Sequence, residues 1–317
     1  MSEAALVLAT DPGSERGQDE DRNHGSSIMT VEKTLGVIGG SGLYEIEGLE
    51  DRKEVQLETP FGKPSDAVIT GKLHGVKFAF LPRHGRGHKI APHELPFRAN
   101  IHAMKQLGME CLIGISAVGS MKEHIKPGDL VLVDQFIDRT RGRTEESTFF
   151  GAGCVAHVHF ADPVWEPLRQ VALAAARLSG AKVHDGGTYV CMEGPAFSTR
   201  AESRMYRSLG VDVIGMTNLQ EAKLAREAEI AYTTVALATD YDCWHETEAD
   251  VSVAAVIAVL QQNVARAKQV VQHAARLIFE GPRITAEGCM KDAILTAKSA
   301  VSADAKRRLA WIVGKYL

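Results

Sequence analysis

Short apolar runs alternate with amphipathic stretches along most of the chain. Buried strands are predicted at residues 35–38, 67–73, 76–81, 111–117, 129–133, 188–192, 211–216 and 232–239. Apolar residues recur every three to four positions in four further stretches, which predicts helices at 96–107, 163–179, 219–228 and 252–278. Strands that alternate with helices predict an α/β fold.

Local signals refine this pattern. His74 and Gly75 separate two strand-like runs, which predicts a hairpin and therefore a mixed sheet. Thr217 and Gln220 have the spacing of a capping box at the start of the third helix. Ser252 is predicted to be the N-cap of the last predicted helix. We therefore expect one α/β domain over residues 34–280, with a central mixed sheet flanked by helices.

The two ends of the chain differ from this domain. Residues 1–33 form a polar tail, and its stretch 11–27 has so few apolar residues that we predict disorder. Met29 within this tail is a second candidate start. Residues 281–317 begin with a Gly-Pro pair and hold two helical patterns, at 290–300 and 303–315, so we predict a helical appendage outside the core. Its lysines and arginines fit a solvated helix face better than a basic interaction surface.

Composition excludes several classes of function. The 317 residues are 45% hydrophobic and carry a net charge of −4, so no nucleic acid or anionic membrane is expected as a partner. No apolar run approaches the ~20 residues of a membrane span, and the N-terminus shows no secretory pattern. Five scattered cysteines predict reduced thiols in a cytoplasmic protein, with no disulfide framework or zinc site.

Polar residues are concentrated where the predicted strands end, which is where α/β sheets bind ligands. Hydroxyl, guanidinium and glycine N–H donors occur there, at Gly39, Gly40, Ser41, Gly42, Arg83, Ser116 and Thr217. Thr217 also begins a helix, whose first N–H groups favour anions. Together these donors predict a phosphate site. Asp240 and Asp242 remain as candidate acids.

Each piece has a simpler alternative. The glycine loop at 39–42 has the form of a structural turn, and it lacks the third glycine of a dinucleotide fingerprint and the lysine of a Walker loop. Arg83 is alternatively interpreted as an ordinary ion-pair residue. His84, His88 and His93 are candidate metal ligands, but no carboxylate joins them at a metal-site spacing, so no metal is predicted. Asp240 and Asp242 also fit a loop-capping role.

Seven ordered segments carry a specific resemblance. They begin with Val-Ile-Gly-Gly-Ser-Gly-Leu at 37–43 and end with Ala-Thr-Asp-Tyr-Asp-Cys-Trp at 238–244; the others lie at 59–66, 83–86, 134–139, 193–198 and 200–203. The chain from about residue 35 to 278 thereby resembles the trimeric branch of the purine nucleoside phosphorylase family, and within it the 5′-methylthioadenosine phosphorylases. The resemblance does not extend to the N-terminal tail or to residues 281–317.

The resemblance implies roles for matching residues. Phosphate would be bound by Ser41, Arg83, His84, Ser116, Ala117 and Thr217. The nucleoside would be bound by Met216 against the ribose, Phe197 stacked on the purine, and Ser198, Asp240, Tyr241 and Asp242 near the base. Most such relatives have Thr in place of Ser41 and Ser116, which keeps the hydroxyl. They commonly have Pro in place of Gln220, a change from which we expect no functional consequence.

Two features of the resemblance imply specificity. Asp240 stands where branches acting on 6-oxopurines have Asn, so a 6-aminopurine is favoured. Val253, Val256 and Ile257 match positions that line an apolar 5′ pocket, which suits a methylthio group. His157 resembles a residue that a neighbouring subunit donates, which implies a homotrimer.

The implied enzyme is a pentosyltransferase of purine and methionine salvage. It would split S-methyl-5′-thioadenosine with phosphate as co-substrate and without a metal or organic cofactor. Asp240, with a pKa raised by burial and by Asp242, would be the general acid at purine N7. The alternatives are a phosphorylase for ordinary purine nucleosides or methylthioinosine, a phosphate-independent hydrolase, and a nucleoside-binding module without catalysis.

Overall fold

The computed structural model describes residues 32–245 and 253–317, apart from the side chains of Ser41, of 253–258 and of 260–262. The described residues lie in one compact unit, Glu32–Leu317. The strands are β1 Thr34–Gly39, β2 Glu50–Val55, β3 Val68–Leu73, β4 Val76–Pro82, β5 Cys111–Ser120, β6 Leu130–Leu132, β7 Gln135–Arg139, β8 Val183–Asp185, β9 Thr188–Met192, β10 Val213–Gly215 and β11 Ala231–Asp240. The α-helices are α1 Phe97–Gln106, α2 Glu166–Leu178, α3 Arg200–Ser208, α4 Asn218–Glu227, α5 Val253–Glu280 and α6 Ala303–Val313.

These strands form one mixed sheet. Its main path runs β2-β3-β4-β1-β5-β10-β9-β7, and β11 with β6 and β8 branches from β5. The long strand β5 pairs in parallel with β1 along its first half and antiparallel with β10 at its end, while β11 runs parallel along its other edge. The predicted α/β class and mixed sheet are confirmed.

The predicted hairpin is the turn between β3 and β4, which pair antiparallel from Leu73 and Val76 outward. Both turn residues have positive φ, 49° at His74 and 81° at Gly75. Two such residues give a turn whose twist matches the strands. This hairpin places β4 beside β1, so Arg83 emerges next to the glycine loop that follows β1.

Helices cover both faces of the sheet because residues alternate between faces along each strand. Leu35, Phe78 and Ile113 belong to the cluster that α2 and α5 cover. Ile38, Ala79 and Leu112 belong to the cluster that α1, α4 and α6 cover. Sequence patterns predicted these helices, α6 included, to within a few residues. They gave no signal for helix α3 or for the short or exposed strands β2, β7 and β8.

The C-terminal segment is part of the core, whereas the sequence predicted an appendage outside it. Met290, Ala293 and Leu309 are buried in the same cluster as α1. The pattern at 290–300 forms turns rather than a helix, and only the second pattern is helical, as α6. The apolar residues of α6 pack against α1. A local sequence pattern shows that a helix has an apolar face but not which element that face packs against. The Lys315 ammonium lies 2.7 Å from the buried Glu229 carboxylate and ties the chain end to this core.

Two further expectations concern the chain ends and membranes. Residues 1–31 of the predicted tail and the predicted cap Ser252 lie outside the described residues. Lys33, placed in the tail by the sequence, donates from its ammonium to the carbonyl of Phe279 at 2.7 Å. Within 32–245 and 253–317, no helix is both long and apolar enough to cross a membrane.

Candidate active site

The carboxyl ends of β1, β4 and β5 meet the first turn of α4 at one edge of the sheet. The Arg83 backbone N–H donates to the carbonyl of Gly39 at 2.9 Å, which joins the ends of β4 and β1. The Ser116 and Thr217 hydroxyls lie 3.5 Å apart, which joins β5 to the start of α4. Ser116 and Ala117, expected at the end of the predicted strand, lie inside β5, which continues to Ser120. The structure thus brings four of the predicted phosphate-binding residues to one place: Arg83, Ser116, Ala117 and Thr217.

The Arg83 guanidinium is fixed by protein groups on nearly all sides. Nε and Nη2 donate to the two carboxylate oxygens of Glu221 at 2.5 and 3.1 Å. Nη1 donates to the carbonyl of Ile115 at 2.8 Å, and Nη2 also donates to that of Ile38 at 3.2 Å. The side chain is only 2% exposed. Arg83 is therefore an ion-pair residue, as one of the two interpretations of the sequence held. Four of the five N–H groups of its guanidinium already donate to protein acceptors.

Glu221 anchors a buried network beneath Arg83. Besides the guanidinium it accepts from the Tyr232 hydroxyl at 2.8 Å and from the Asn218 amide at 3.3 Å. Burial alone would lower the pKa of Arg83, but the Glu221 carboxylate raises it above its ordinary value, so Arg83 stays charged. The network crosses β5 at Gly114, where an added Cβ would come 2.2 Å from the Tyr232 oxygen and 2.8 Å from Glu221 Oε2. Only glycine leaves room for it there.

His84 follows Arg83 and is neutral. Its Nδ1 lies 2.8 Å from the carbonyl of Ile90. A carbonyl can only accept, so Nδ1 carries the proton and Nε2 has the lone pair. Burial, with the Arg83 charge, lowers the pKa of His84 to about 4. The ring stacks on that of His88 at 4.2 Å. Within 32–245 and 253–317, no group of three or more His, Cys, Asp or Glu side chains is placed to bind a metal.

Thr217 begins α4 without capping it. Its side chain makes no cap hydrogen bond, and the Gln220 side chain turns away to donate to Thr140 at 3.0 Å. The predicted capping box is therefore wrong, because both side chains have partners on other elements. The Thr217 N–H lies 3.4 Å from the buried Tyr189 hydroxyl. The Thr217 hydroxyl is left facing Ser116, so it is available to an anion at the helix start.

Asp240 ends β11 with its carboxylate fixed in orientation. One oxygen accepts from the Thr239 hydroxyl at 2.7 Å and the other from the Asp242 backbone N–H at 2.8 Å. Burial raises the pKa of Asp240, although both of these hydrogen bonds lower it. A Cβ on Gly119 would come 3.0 Å from Asp240 Oδ1, so this glycine leaves room for the carboxylate.

Asp242 lowers the pKa of Asp240, whereas from the sequence we expected it to raise that pKa. Its N–H makes the loop-capping contact named as an alternative above, and this contact favours the ionised form of Asp240. Burial, and then the charge of Asp240, raise the pKa of Asp242 itself. Asp242 adopts a φ of 53°, so the backbone bends sharply here. Burial is therefore the source of the raised pKa at Asp240.

The predicted nucleoside residues lie on neighbouring loops. Gly194 lies against Met216, since a Cβ on Gly194 would come 2.5 Å from the Met216 sulfur. The Cys243 thiol donates to the carbonyl of Ser198 at 3.3 Å, which joins the 193–198 loop to the segment after β11. Phe197 is 45% exposed, so its ring is free to receive a ligand. Tyr241 stacks on His245 at 4.6 Å beside this segment.

A family comparison agrees with this arrangement. The family model of the phosphorylase superfamily matches residues 34–276. The chain belongs to the phosphorylase superfamily. The matched range contains every predicted site residue, and it ends within α5.

Relatives within the superfamily are similar over nearly the whole chain. An S-methyl-5′-thioadenosine phosphorylase of Geobacter sulfurreducens is 58% identical, over 90% of this chain and 100% of its own. One of Gloeobacter violaceus is 54% identical, over 89% and 95%. A solved methylthioadenosine phosphorylase from an antarctic soil metagenomic library has a TM-score of 0.84 at 47% identity, over 89% of this chain and 99% of that one. A methylthioadenosine phosphorylase of Schistosoma mansoni, solved with adenine, has a TM-score of 0.75 at 36% identity, over 79% and 93%.

Other predicted residues of this superfamily member are not joined to the site by the structure. The side chains of Ser41, Val253, Val256 and Ile257 lie outside the described residues. His157 is exposed on a separate segment, where its backbone N–H donates to Ala293 at 2.8 Å. Their roles stay predictions.

Three further residues are built into the site without a signal in the sequence. Glu221 holds Arg83, the Tyr189 hydroxyl lies beside the N–H of Thr217, and Arg143 donates to the carbonyl of Met216. Each reaches its partner across tens of positions in the chain. A single polar residue inside an amphipathic or apolar run gives no local pattern that identifies such a partner.

Proposed function

We propose that the chain is a pentosyltransferase that splits S-methyl-5′-thioadenosine with inorganic phosphate into adenine and 5-methylthioribose 1-phosphate. The observation that carries this proposal is Asp240, a half-buried carboxyl with a raised pKa. It lies opposite Gly119 of β5, three residues along that strand from Ser116, whose hydroxyl lies 3.5 Å from that of Thr217. One side of the site thus offers an acid and the other offers anion donors. The names of the similar relatives support the same reaction.

Asp240 acts as the general acid at the base. The bond between C1′ and N9 breaks with its electron pair going to the purine, and the Asp240 proton passes to N7. A phosphate oxygen forms the new bond to C1′. Burial helps because it keeps the carboxyl protonated at higher pH than an exposed aspartate. The two hydrogen bonds from Thr239 and Asp242 fix the direction of the carboxyl, so little reorganisation is needed.

Phosphate is bound by neutral donors around a charge that is already paired. Ser116, Thr217 and the first N–H groups of α4 supply hydrogen bonds, with the Ser41 loop expected on the other side. Arg83 supplies at most one N–H, because Glu221, Ile38 and Ile115 take the rest. Its main contribution is to order the ends of β1, β4 and β5 around the anion. His84 adds a neutral Nε2 that is able to accept the proton of monohydrogen phosphate.

Specificity, assembly and location complete the proposal. Asp240 favours a 6-aminopurine because its carboxyl is able to exchange hydrogen bonds with both the amine and N7. The resemblance assigns Val253, Val256 and Ile257 to an apolar 5′ pocket, in which a 5′-hydroxyl would be left unpaired. The enzyme is a homotrimer in which the exposed His157 reaches a neighbouring site. Five free cysteines fit a cytoplasmic location.

The decisive experiment is base release by the purified protein. Methylthioadenosine, adenosine and methylthioinosine are each incubated with and without phosphate, and the free base is quantified. We expect phosphate-dependent release of adenine, fastest from methylthioadenosine. Preference for the inosine analogue would overturn the role of Asp240 in base selection. Release without phosphate would make the enzyme a hydrolase, and binding without release from any substrate would make it a binding module.

A further inference from the structure

A second buried arginine lies beside the nucleoside loops. Arg143 follows β7 in the segment that leads to α2, and its side chain is only 1% exposed. Arg143 and Arg83 share no hydrogen-bond partner among the described residues. A fully desolvated guanidinium needs acceptors on several sides. Which groups supply them determines what this arginine does.

The acceptors belong to two loops of the site and to α4. Nε donates to the Glu193 carboxylate at 2.9 Å, and Nη2 donates to the Glu193 carbonyl at 2.5 Å. Nη1 donates to the Met216 carbonyl and, at 3.2 Å, to the side-chain oxygen of Gln220. One planar group therefore fixes the backbones of Glu193 and Met216 relative to each other. Lysine lacks this fork geometry.

These two backbones carry the residues expected at the nucleoside. Glu193 begins the 193–198 loop that holds Phe197, and Met216 precedes Thr217 at the start of α4. The loops touch directly where Gly194 lies against the Met216 sulfur. A shift of either backbone therefore changes the gap between the base side and the sugar side of the site.

Glu193 is held from its other side as well. Its Oε2 accepts from the backbone N–H of Arg141 and, at 2.9 Å, from that of Gly142. Burial would raise the pKa of Glu193, but these N–H groups and Arg143 together hold it below the ordinary value. The carboxylate is therefore charged and neutralises Arg143. An arginine with its charge paired and four N–H groups used is a scaffold rather than a ligand for phosphate.

We propose that Arg143 is a positioning residue for the nucleoside. By binding the Glu193 and Met216 backbones at once, it sets the width of the gap between Phe197 and Met216, and so controls nucleoside affinity but not phosphate affinity. The inference rests on the proposed function for the identity of the ligand. It adds a residue that acts on that ligand only through others.

Arg143→Lys tests this directly. Because lysine cannot hold both backbones, we expect kcat/KM for methylthioadenosine to fall between about 10- and 100-fold, mainly through KM. The KM for phosphate stays within about twofold, since the Arg143 side chain makes no hydrogen bond to Ser116, Thr217 or the Arg83–Glu221 pair among the described residues. The matched control is Arg169→Lys. Arg169 is a buried arginine that likewise binds carboxylates, Glu166 at 2.7 Å and Asp185 at 2.7 Å, but on α2. The Arg169→Lys substitution should lower the melting temperature without raising the KM for methylthioadenosine or for phosphate.

Glu193→Gln and Gln220→Ala keep the test decisive if Arg143→Lys folds poorly. Glu193→Gln removes the charge that holds Arg143. Gln220→Ala removes one of the hydrogen bonds of Arg143 and leaves those to Glu193 and Met216. We expect nucleoside KM to rise in the order Gln220→Ala, Glu193→Gln, Arg143→Lys. A rise in both KM values, or a nucleoside KM unchanged in all three variants, would show that Arg143 is merely structural and would overturn the proposal.

Calorimetric titration with adenine in the presence of phosphate separates this inference from the proposed function. Weaker adenine binding by the Arg143→Lys protein than by the Arg169→Lys protein would support the positioning role, even if the unaltered protein turned over no nucleoside. Absent turnover by the unaltered protein would overturn the proposed function alone. Equal adenine binding by all proteins, with normal turnover by the unaltered one, would overturn the role of Arg143 alone.

Discussion

The Tyr232 hydroxyl donates to the Glu221 carboxylate at 2.8 Å, beneath the Arg83 guanidinium. The same hydroxyl accepts from the Asn218 amide at 2.9 Å and from the Thr234 hydroxyl at 3.0 Å. A carboxylate buried with an arginine is stable only when its remaining lone pairs are satisfied. Tyr232 therefore determines how firmly Glu221 holds Arg83, although it lies one layer below the site.

Tyr232→Phe should weaken both the fold and phosphate binding. It leaves Glu221 with one donor fewer and removes the acceptor of the Thr234 hydroxyl and one acceptor of the Asn218 amide, which costs about 1 to 3 kcal/mol of unfolding free energy. The KM for phosphate should rise more than that for the nucleoside, because Arg83 orders the phosphate side. Urea denaturation and initial rates at varied phosphate measure the two effects.

Tyr316→Phe is the matched control for this change. The Tyr316 hydroxyl also donates to a buried glutamate, Glu229, at 2.8 Å, but at the chain end. It should cost similar stability and leave the KM for phosphate unaltered. An equal rise of the phosphate KM in both variants would contradict the role given to the network.

Asp240→Asn should slow adenine release by about 100-fold or more, because an amide cannot pass a proton to N7. Asp240 must be protonated to act, so kcat/KM in the unaltered protein should fall as pH rises through its raised pKa. The variant should lack this descending limb. Release rates of adenine across pH measure both effects, and an unchanged rate in the variant would remove Asp240 from catalysis.

Gly119→Ala should reduce activity through Asp240 without touching a ligand. The new Cβ would come 2.9 Å from Ile214 and 3.0 Å from Asp240 Oδ1, so one of them must move. Overpacking of this kind costs about 1 to 3 kcal/mol, and the displaced carboxyl should lower kcat as well. Gly314→Ala is the control, since its Cβ would meet only Ala310 at 3.9 Å. Equal kcat in both variants would contradict the prediction.

His102 should make the fold sensitive to acid. It is fully buried, and burial lowers its pKa to about 4, although the Gln106 side chain acts in the opposite direction. The unfolded chain binds this proton near pH 6.5, whereas the folded chain does so only near pH 4. The stability present above pH 6.5 is therefore lost as pH falls towards 4.

His102→Leu should remove part of that loss. Between about pH 7.5 and pH 5, the variant should lose on the order of 2 kcal/mol less unfolding free energy than the unaltered protein. A remaining slope is expected, because His84 has a similarly lowered pKa. Chemical denaturation at the two pH values measures the difference. The same loss in both proteins would show that His102 does not titrate as inferred.

Local sequence features predicted much of the fold and the location of the site. The hairpin followed from two turn residues that accept positive φ, and α1 and α2 followed from apolar periodicity with glycine after each. Polar residues at the ends of β1, β4 and β5 indicated the site because the topology of α/β sheets gathers such ends. These signals depend on neighbours within one turn or one strand, so they are legible in the chain itself.

The partners of those residues could not be predicted in the same way. Gln220 was expected to cap α4, but its oxygen accepts from Arg143 at 3.2 Å, and a proline at that position would lack this contact. The raised pKa of Asp240 was expected to come partly from Asp242, but the backbone N–H of Asp242 acts against it. Both errors came from reading adjacent residues as partners when the folded chain supplies others.

The sequence by itself determined the chemistry available: an acid at Asp240, hydroxyls at Ser116 and Thr217, and a guanidinium at Arg83. Only the tertiary structure decided how each is used. Arg83 is paired with a carboxylate 138 positions away, Arg143 with a carbonyl 73 positions away, and the C-terminal segment packs on α1. Such pairings depend on which surfaces meet when the sheet and its helices close, because a buried charged group is stable only with a partner, which the fold can bring from any part of the chain.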